Sequence, residues 1–111
     1  IVGRGKDLII AGGYNIYPKE VEQVLDDQPG VLESAVIGVA HGDLGEAPVG
    51  VLVADGSLDL DLEALSQTVA QSLARFKCPR KLVVVDALPR NTMGKVQKNL
   101  LRETFADLFK G

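Results

Sequence analysis

Tryptophan is absent from this chain, and cysteine and histidine occur once each. Cys78 therefore has no partner for an internal disulfide, which fits a reducing compartment such as the cytoplasm, and it reads as a small core side chain. One His and one Cys do not make a metal site. Aromatic residues are limited to two Tyr and three Phe, too few for the stacking platform on which single-stranded nucleic acid lies. No apolar run is long enough to cross a bilayer. There is no repeat and no low-complexity stretch, and with 46% hydrophobic residues the composition is that of a folded domain rather than a disordered segment.

The 111 residues are enough for one domain, which at this size buries about two thirds of its unfolded surface. The chain opens on Ile1-Val2-Gly3-Arg4, with neither an initiator Met nor a secretory leader. It reads as a segment of a longer polypeptide, or as a processed one. The formal net charge of −3 is unevenly spread. From Glu20 through Ala74 there are eleven acidic residues and no Lys or Arg; from Arg75 through Arg102 there are eight basic residues and one acid, Asp86. Two solvated faces of opposite sign would explain this, as would a basic end that meets a polyanion. The acidic total speaks against a nucleic-acid partner.

The hydrophobic pattern alternates element types. Leu8–Ala11 reads as a short strand, Gly12-Gly13 as a turn, and Tyr14–Ile16 as a returning strand. Pro18 suits the first turn of a helix, Glu20 and Glu22 favour its N-terminal dipole, and Val21, Val24 and Leu25 share a face that ends at Pro29-Gly30. Ala35–Val39, Val49–Val53 and Leu82–Val85 read as strands. Asp61 caps a helix whose Leu62, Leu65, Val69 and Leu73 lie on one side. A last helix is expected over Gln97–Phe109, with Leu101, Phe105 and Leu108 facing inward. The expected fold class is α+β: a small mixed sheet with a short N-terminal hairpin, covered by about three helices.

Three segments have the composition of a site. The Gly12-Gly13 pair permits positive φ and close backbone approach, so it is either a tight hairpin alone or a surface along which a ligand chain lies. Leu88–Lys98 is a polar loop with Lys95 just past Gly94; it either exposes an ordinary solvated Lys or holds out a point charge for a phosphate or a carboxylate–phosphate anion. It lacks the glycine–lysine–serine/threonine spacing of a P-loop. In Leu73–Lys81 a helix stops at Pro79 amid a basic cluster, which by itself is structural punctuation. His41 has no nucleophile near it in sequence and reads as structural.

Taken in order, these segments resemble the C-terminal domain of the acyl-adenylate-forming enzymes: acyl-CoA synthetases, luciferases and the adenylation domains of nonribosomal peptide synthetases. The glycine-rich opening that ends in Tyr17-Pro18-Lys19-Glu20-Val21-Glu22, the Phe76-Lys77-Cys78-Pro79 segment and the Pro89-Arg90-Asn91-Thr92-Met93-Gly94-Lys95 loop match three late motifs of that superfamily. The match runs from Gly3 to about Arg102. The wording of Asn91–Lys98 is most similar to malonyl-CoA synthetases.

The resemblance implies that residues 1–111 are a mobile lid domain, with residues 1–6 as the hinge region, working against a large N-terminal domain of the same polypeptide. Carboxylate, ATP and CoA would become acyl-CoA, AMP and pyrophosphate in two steps through an acyl-adenylate, the small domain rotating between them. It implies that Lys95 is the catalytic lysine of adenylation and contacts ATP, that Lys6 is the hinge residue, that Arg4 approaches the ATP phosphates, and that Gly12 and Gly13 line the path of CoA. Mg2+ would arrive with ATP and not be bound by this domain. Lys95 would be open to a lysine acetyltransferase and deacetylase. Asn15 stands where some relatives carry Arg, and neither the earlier phosphate loop nor the ribose-binding Asp is present, so the isolated domain is expected to be inactive. Two alternatives remain at this point: a ferredoxin-like regulatory module, whose element order the pattern also fits, and an adenylation domain that loads a carrier protein.

Overall fold

A computed structural model describes residues 8–109. Arg4, Lys6 and the hinge region 1–6 lie outside the described residues.

The chain begins with a hairpin: β1 (Ile9–Ala11) and β2 (Tyr14–Ile16) pair antiparallel, with Ile9 opposite Ile16 and Ala11 opposite Tyr14. Gly12 and Gly13 make the turn at φ 58° and 88°. A two-residue turn that matches strand twist needs positive φ at both positions, which explains the glycine pair. Ile9, Ala11 and Ile16 point into the core. Helix α1 (Pro18–Asp26) follows, Pro18 sitting where its missing N–H has no bond to lose, and Val21 and Leu25 are buried.

Strands β3 (Val31–His41) and β4 (Gly45–Ala54) form a long antiparallel ladder from Val31–Ala54 to His41–Gly45. Helix α2 (Leu62–Ser72) then crosses to β5 (Lys81–Val85), which lies parallel to β4. The Asp61 carboxylate caps α2 by accepting the Ala64 N–H at 3.2 Å. The resulting sheet is mixed, in the order β3-β4-β5, and the β1–β2 hairpin is a separate two-stranded sheet. A ferredoxin-like arrangement is therefore not formed: the chain turns back at Gly12-Gly13 instead of placing its first strand in the main sheet.

Alternation along the strands divides the core between the two faces of the sheet. On one face Val36, Leu52 and Leu82 pack with the hairpin (Ile9, Ile16), α1 (Val21, Leu25) and α2 (Leu65, Val69). On the other, Ile37, Val49, Val51 and Val53 meet the C-terminal segment through Leu88 and Leu101, with Val96, Phe105, Leu108 and Phe109 around them. Gly50 makes the first layer possible, since a Cβ there would come within 2.7 Å of Leu82 Cδ2 and 3.1 Å of Leu25 Cδ1.

The last helix is shorter than its apolar spacing predicts. Helix α3 covers only Lys98–Thr104, and Phe105 leaves helical geometry at φ −106°, ψ 18°. Beyond it the bonds tighten to three-residue spacing, Ala106 N–H to Glu103 O and Leu108 N–H to Phe105 O. Leu108 and Phe109 both pack against the core on this face of the sheet, and the Phe109 ring meets that of His41 edge-on with centroids 5.1 Å apart.

Candidate functional site

The Lys95 loop hangs between β5 and α3. It is closed by an antiparallel bridge between Arg90 and Val96 and by the Gln97 N–H donating to Pro89 O at 2.8 Å. Within it Asn91 organises the backbone. Its Oδ1 accepts the Met93 N–H at 2.9 Å and the Lys95 N–H at 3.0 Å. Its own N–H donates to Lys95 O at 3.0 Å, and its carbonyl accepts the Gly94 N–H at 2.9 Å. A short amide side chain that satisfies several local donors is what favours Asn in such turns. Gly94 supplies the positive φ, 82°. Arg90 Nη1 donates to the Gly94 carbonyl at 2.7 Å, and its Nη2 pairs with the Glu33 carboxylate on β3. Lys95 is exposed, and no described residue pairs with its ammonium. Beyond the loop, Lys98 Nζ pairs with Glu22 Oε2 on α1 at 2.7 Å.

The glycine turn sits on the other side of the sheet. Gly12 donates its N–H to Leu44 O at 2.9 Å in the β3–β4 turn, and a Cβ on it would touch Leu44 Cδ2 at 3.1 Å. That turn is held by His41, whose Nδ1 accepts the Asp43 and Leu44 N–H groups at 3.2 and 3.3 Å; His41 is structural, as its sequence context suggested. A cleft of about 170 Å³ opens beside Gly12, with Ala11, Tyr14, Pro48 and the guanidinium-bearing Arg75 and Arg80 on its walls. It continues into a shallower hollow of about 520 Å³ that reaches Cys78 and Pro79. Tyr14 stacks on Phe76 with centroids 4.6 Å apart, and Lys77 is fixed by Glu20 at 3.0 Å. Gly13 forms the tip of the turn, and a Cβ added there would meet nothing within 4 Å.

Burial pushes the Cys78 thiol up from its ordinary value, and the neighbouring Arg75 pulls it part of the way back. The thiol is therefore less ionised at neutral pH than a free one, and not an activated nucleophile. Among the described residues no group of three or more His, Cys, Asp or Glu could hold a metal ion, and no helix is long and apolar enough to cross a membrane.

The structure thus brings Gly12 together with an arginine-lined cleft and leaves Lys95 alone on a braced loop. It does not bring these two features together. Ala11, beside Gly12, belongs to the core on one face of the sheet; Val96, beside Lys95, belongs to the core on the other. Sequence reasoning missed the parts of Arg75, Arg80, Tyr14 and Phe76, having taken Leu73–Lys81 by itself as punctuation. The signal was there in the two arginines flanking Phe76 and Pro79, but nothing in the sequence placed them against a hairpin some sixty residues earlier.

Comparison with known proteins yields consistent matches. Residues 20–95 match the AMP-binding enzyme C-terminal domain. The methyl-dioxo-octahydroindenyl-propanoyl:CoA ligase of Mycobacterium tuberculosis is 48% identical over 103 residues, covering 93% of this chain and 20% of the relative. A long-chain-fatty-acid–CoA ligase of the same organism is 41% identical over 106 residues, 96% of this chain and 21% of its own length. The crystal structure of ATP-bound MatB from Rhodopseudomonas palustris superposes with a TM-score of 0.92 at 55% identity, covering 99% of this chain and 22% of MatB. The chain therefore spans about a fifth of the length of each of these proteins.

Proposed function

Because the chain belongs to the family of AMP-binding enzyme C-terminal domains, we propose that it serves as the mobile lid of an ATP-dependent acyl-CoA ligase, presenting Lys95 to the first step and the Gly12 cleft to the second. The observation that carries this reading is the placement of the two features on opposite faces of the sheet. One orientation against a partner domain cannot offer both to the same reacting centre, whereas a rotation between steps can.

In the first step the acid's carboxylate attacks the α-phosphorus of ATP and pyrophosphate leaves. Negative charge gathers on the attacking and phosphoryl oxygens, and the unpaired Lys95 ammonium on its short braced loop meets it as a preorganised cation. In the second step the CoA thiol attacks the acyl carbon of the acyl-adenylate and AMP leaves. The Gly12 turn offers bare backbone to a thin, flexible arm. Arg75 and Arg80 in the same cleft suit the phosphates at the far end of CoA. Arg4 and Lys6 keep the phosphate-contact and hinge roles that the resemblance implies, and Gly13 shares the CoA path with Gly12.

The partner domain is the large N-terminal domain of the same polypeptide, which would hold the acid, the nucleotide and its Mg2+ in a cytoplasmic enzyme. Malonate or a similar small acid is the substrate we favour. The Asn91–Lys98 wording, which resembles that of malonyl-CoA synthetases, supports it. The exposed Lys95 is also the natural target for acetylation, which would remove the charge the first step needs.

The test uses the full-length enzyme with Lys95→Ala and separates the half-reactions: adenylate formation from malonate and ATP, and thioester formation from pre-made malonyl-adenylate and CoA. The first should fall about 10²–10³-fold with the second largely kept. If both survive, Lys95 is an ordinary surface lysine and the proposal fails at its most specific residue.

A further inference from the structure

The Gly94–Lys95 peptide group is held at both ends. Its carbonyl accepts from Arg90 Nη1 at 2.7 Å, and its N–H donates to Asn91 Oδ1 at 3.0 Å. The next carbonyl, that of Lys95 itself, accepts the Asn91 N–H at 3.0 Å. The backbone on either side of the Lys95 Cα is therefore fixed, and with it the direction in which the side chain leaves the loop. None of these bonds uses the Lys95 ammonium. Arg90 is anchored in turn by Glu33 on β3, so the loop is referenced to the sheet and not only to itself. Arg90 and Glu33 side chains remain 43% and 31% exposed. An ion pair that wet contributes little to stability, so holding the fold together does not account for this arrangement.

We propose that Arg90, anchored by Glu33, is a positioning residue that sets the orientation of Lys95 through the Gly94 carbonyl. The proposal rests on the reading of Lys95 as the adenylation lysine. Two donors of one planar guanidinium, aimed at two acceptors on different elements, do what a lysine's single ammonium cannot do with the same geometry. A displacement of about 1 Å at a reacting group can cost about a hundredfold in rate.

The test compares Arg90→Ala, Arg90→Lys, Glu33→Gln, Lys95→Ala and the double variant Arg90→Ala/Lys95→Ala in the full-length enzyme. The readouts are kcat and KM for adenylation, thioester formation from pre-made acyl-adenylate, and amide hydrogen exchange over residues 91–97. Arg90→Ala should lower the adenylation kcat about 10- to 100-fold, with KM for ATP and acid nearly unchanged and the thioester step intact. Exchange of the loop amides should quicken. Arg90→Lys and Glu33→Gln, which each keep part of the brace, should fall between Arg90→Ala and wild type. The double variant should be no slower than Lys95→Ala alone, because a residue that acts through Lys95 has nothing left to orient.

Losses that multiply in the double variant would overturn the proposal, as would a raised KM for ATP at unchanged kcat, which marks a direct phosphate contact. An inactive Lys95→Ala beside a fully active Arg90→Ala overturns the positioning role and leaves the functional reading standing. A fully active Lys95→Ala overturns the functional reading, and the positioning role with it.

Discussion

Glu22 joins three elements, and the consequence of removing it can be worked out from the contacts. Its Oε2 accepts the Val36 N–H at 2.8 Å and pairs with Lys98 Nζ at 2.7 Å. Val36 lies on β3, an edge strand of the sheet, in the register position opposite Gly50, and it is fully buried. Its amide points away from β4 and depends on the carboxylate. In Glu22→Ala that amide loses its acceptor, which costs about 1–3 kcal/mol. Loss of the ion pair adds about 1 kcal/mol, since Glu22 and Lys98 side chains are only 20% and 14% exposed and sit at the upper end of what surface pairs contribute. The total of about 2–4 kcal/mol is a large part of the stability of a domain this size. Glu22→Gln keeps an oxygen for Val36 and loses only the charge, so it should cost about 1 kcal/mol. Urea denaturation of the 111-residue chain at neutral pH measures both, with unchanged m-values expected. Raising the salt should shrink the gap between wild type and Gln, which is Coulombic, and not the gap between Gln and Ala, which is a hydrogen bond. Equal midpoints for Ala and Gln would refute the reasoning, because they would mean that water replaces the carboxylate at Val36 without loss.

Gly50→Ala should destabilise by about 1–3 kcal/mol through overpacking, as its Cβ would press on Leu82 and Leu25 between the sheet and α1. Gly42→Ala, with nothing within 4 Å of the added Cβ and no positive φ, is the control and should be neutral or stabilise by up to about 1 kcal/mol in the same denaturation series. Cys78 should react with iodoacetamide more slowly than a free thiol at pH 8, because burial raises its pKa and lowers its thiolate fraction. The rate should still be climbing as the pH passes the ordinary thiol value of 9.0, where that of a free thiol levels off, and a rate matching free cysteine at pH 8 would show that burial does not raise the thiol.

What could be read from the residues was whatever local chemistry decides. Gly12-Gly13 between apolar pairs leaves little but a tight hairpin, Pro18 with Val21 and Leu25 specifies a helix and its inner face, and Asp61 marks a cap that the structure reproduces. The Lys95 loop was legible for the same reason: polar residues around Gly94 cannot extend a strand or fill a core. Features set by tertiary contact were not legible. Strand β3 runs from Val31 to His41, well past the apolar Ala35–Val39 stretch, because its polar ends also pair with β4, Glu33 opposite Val53 and His41 opposite Gly45. Helix α3 stops at Thr104 although the apolar spacing runs on to Phe109, and Leu108 and Phe109 still pack against the sheet beyond its end. The cleft beside Gly12 needs Arg75 and Arg80 brought against the hairpin, a pairing that the pattern of either segment leaves open.

The uneven charge of the chain is resolved by the same contacts. Each of the pairs Glu20–Lys77, Glu22–Lys98 and Glu33–Arg90 joins an acid from the first part of the chain to a base from the second. Acidic and basic halves are thus not simply two solvated faces. They are partly complementary, and three bases of the second part serve as internal anchors at the two places where chemistry is proposed, Lys77 beside the cleft and Arg90 and Lys98 on either side of Lys95. Among the described residues, the bases without such a pair include Arg75, Arg80 and Lys95, the ones on the cleft wall and the loop. Pairing the flanking cations lowers the local density of positive charge that would otherwise repel Lys95 and scatter its loop, and it leaves each remaining cation with a defined direction. A mildly acidic domain can in this way present two separate cationic features without being a basic protein.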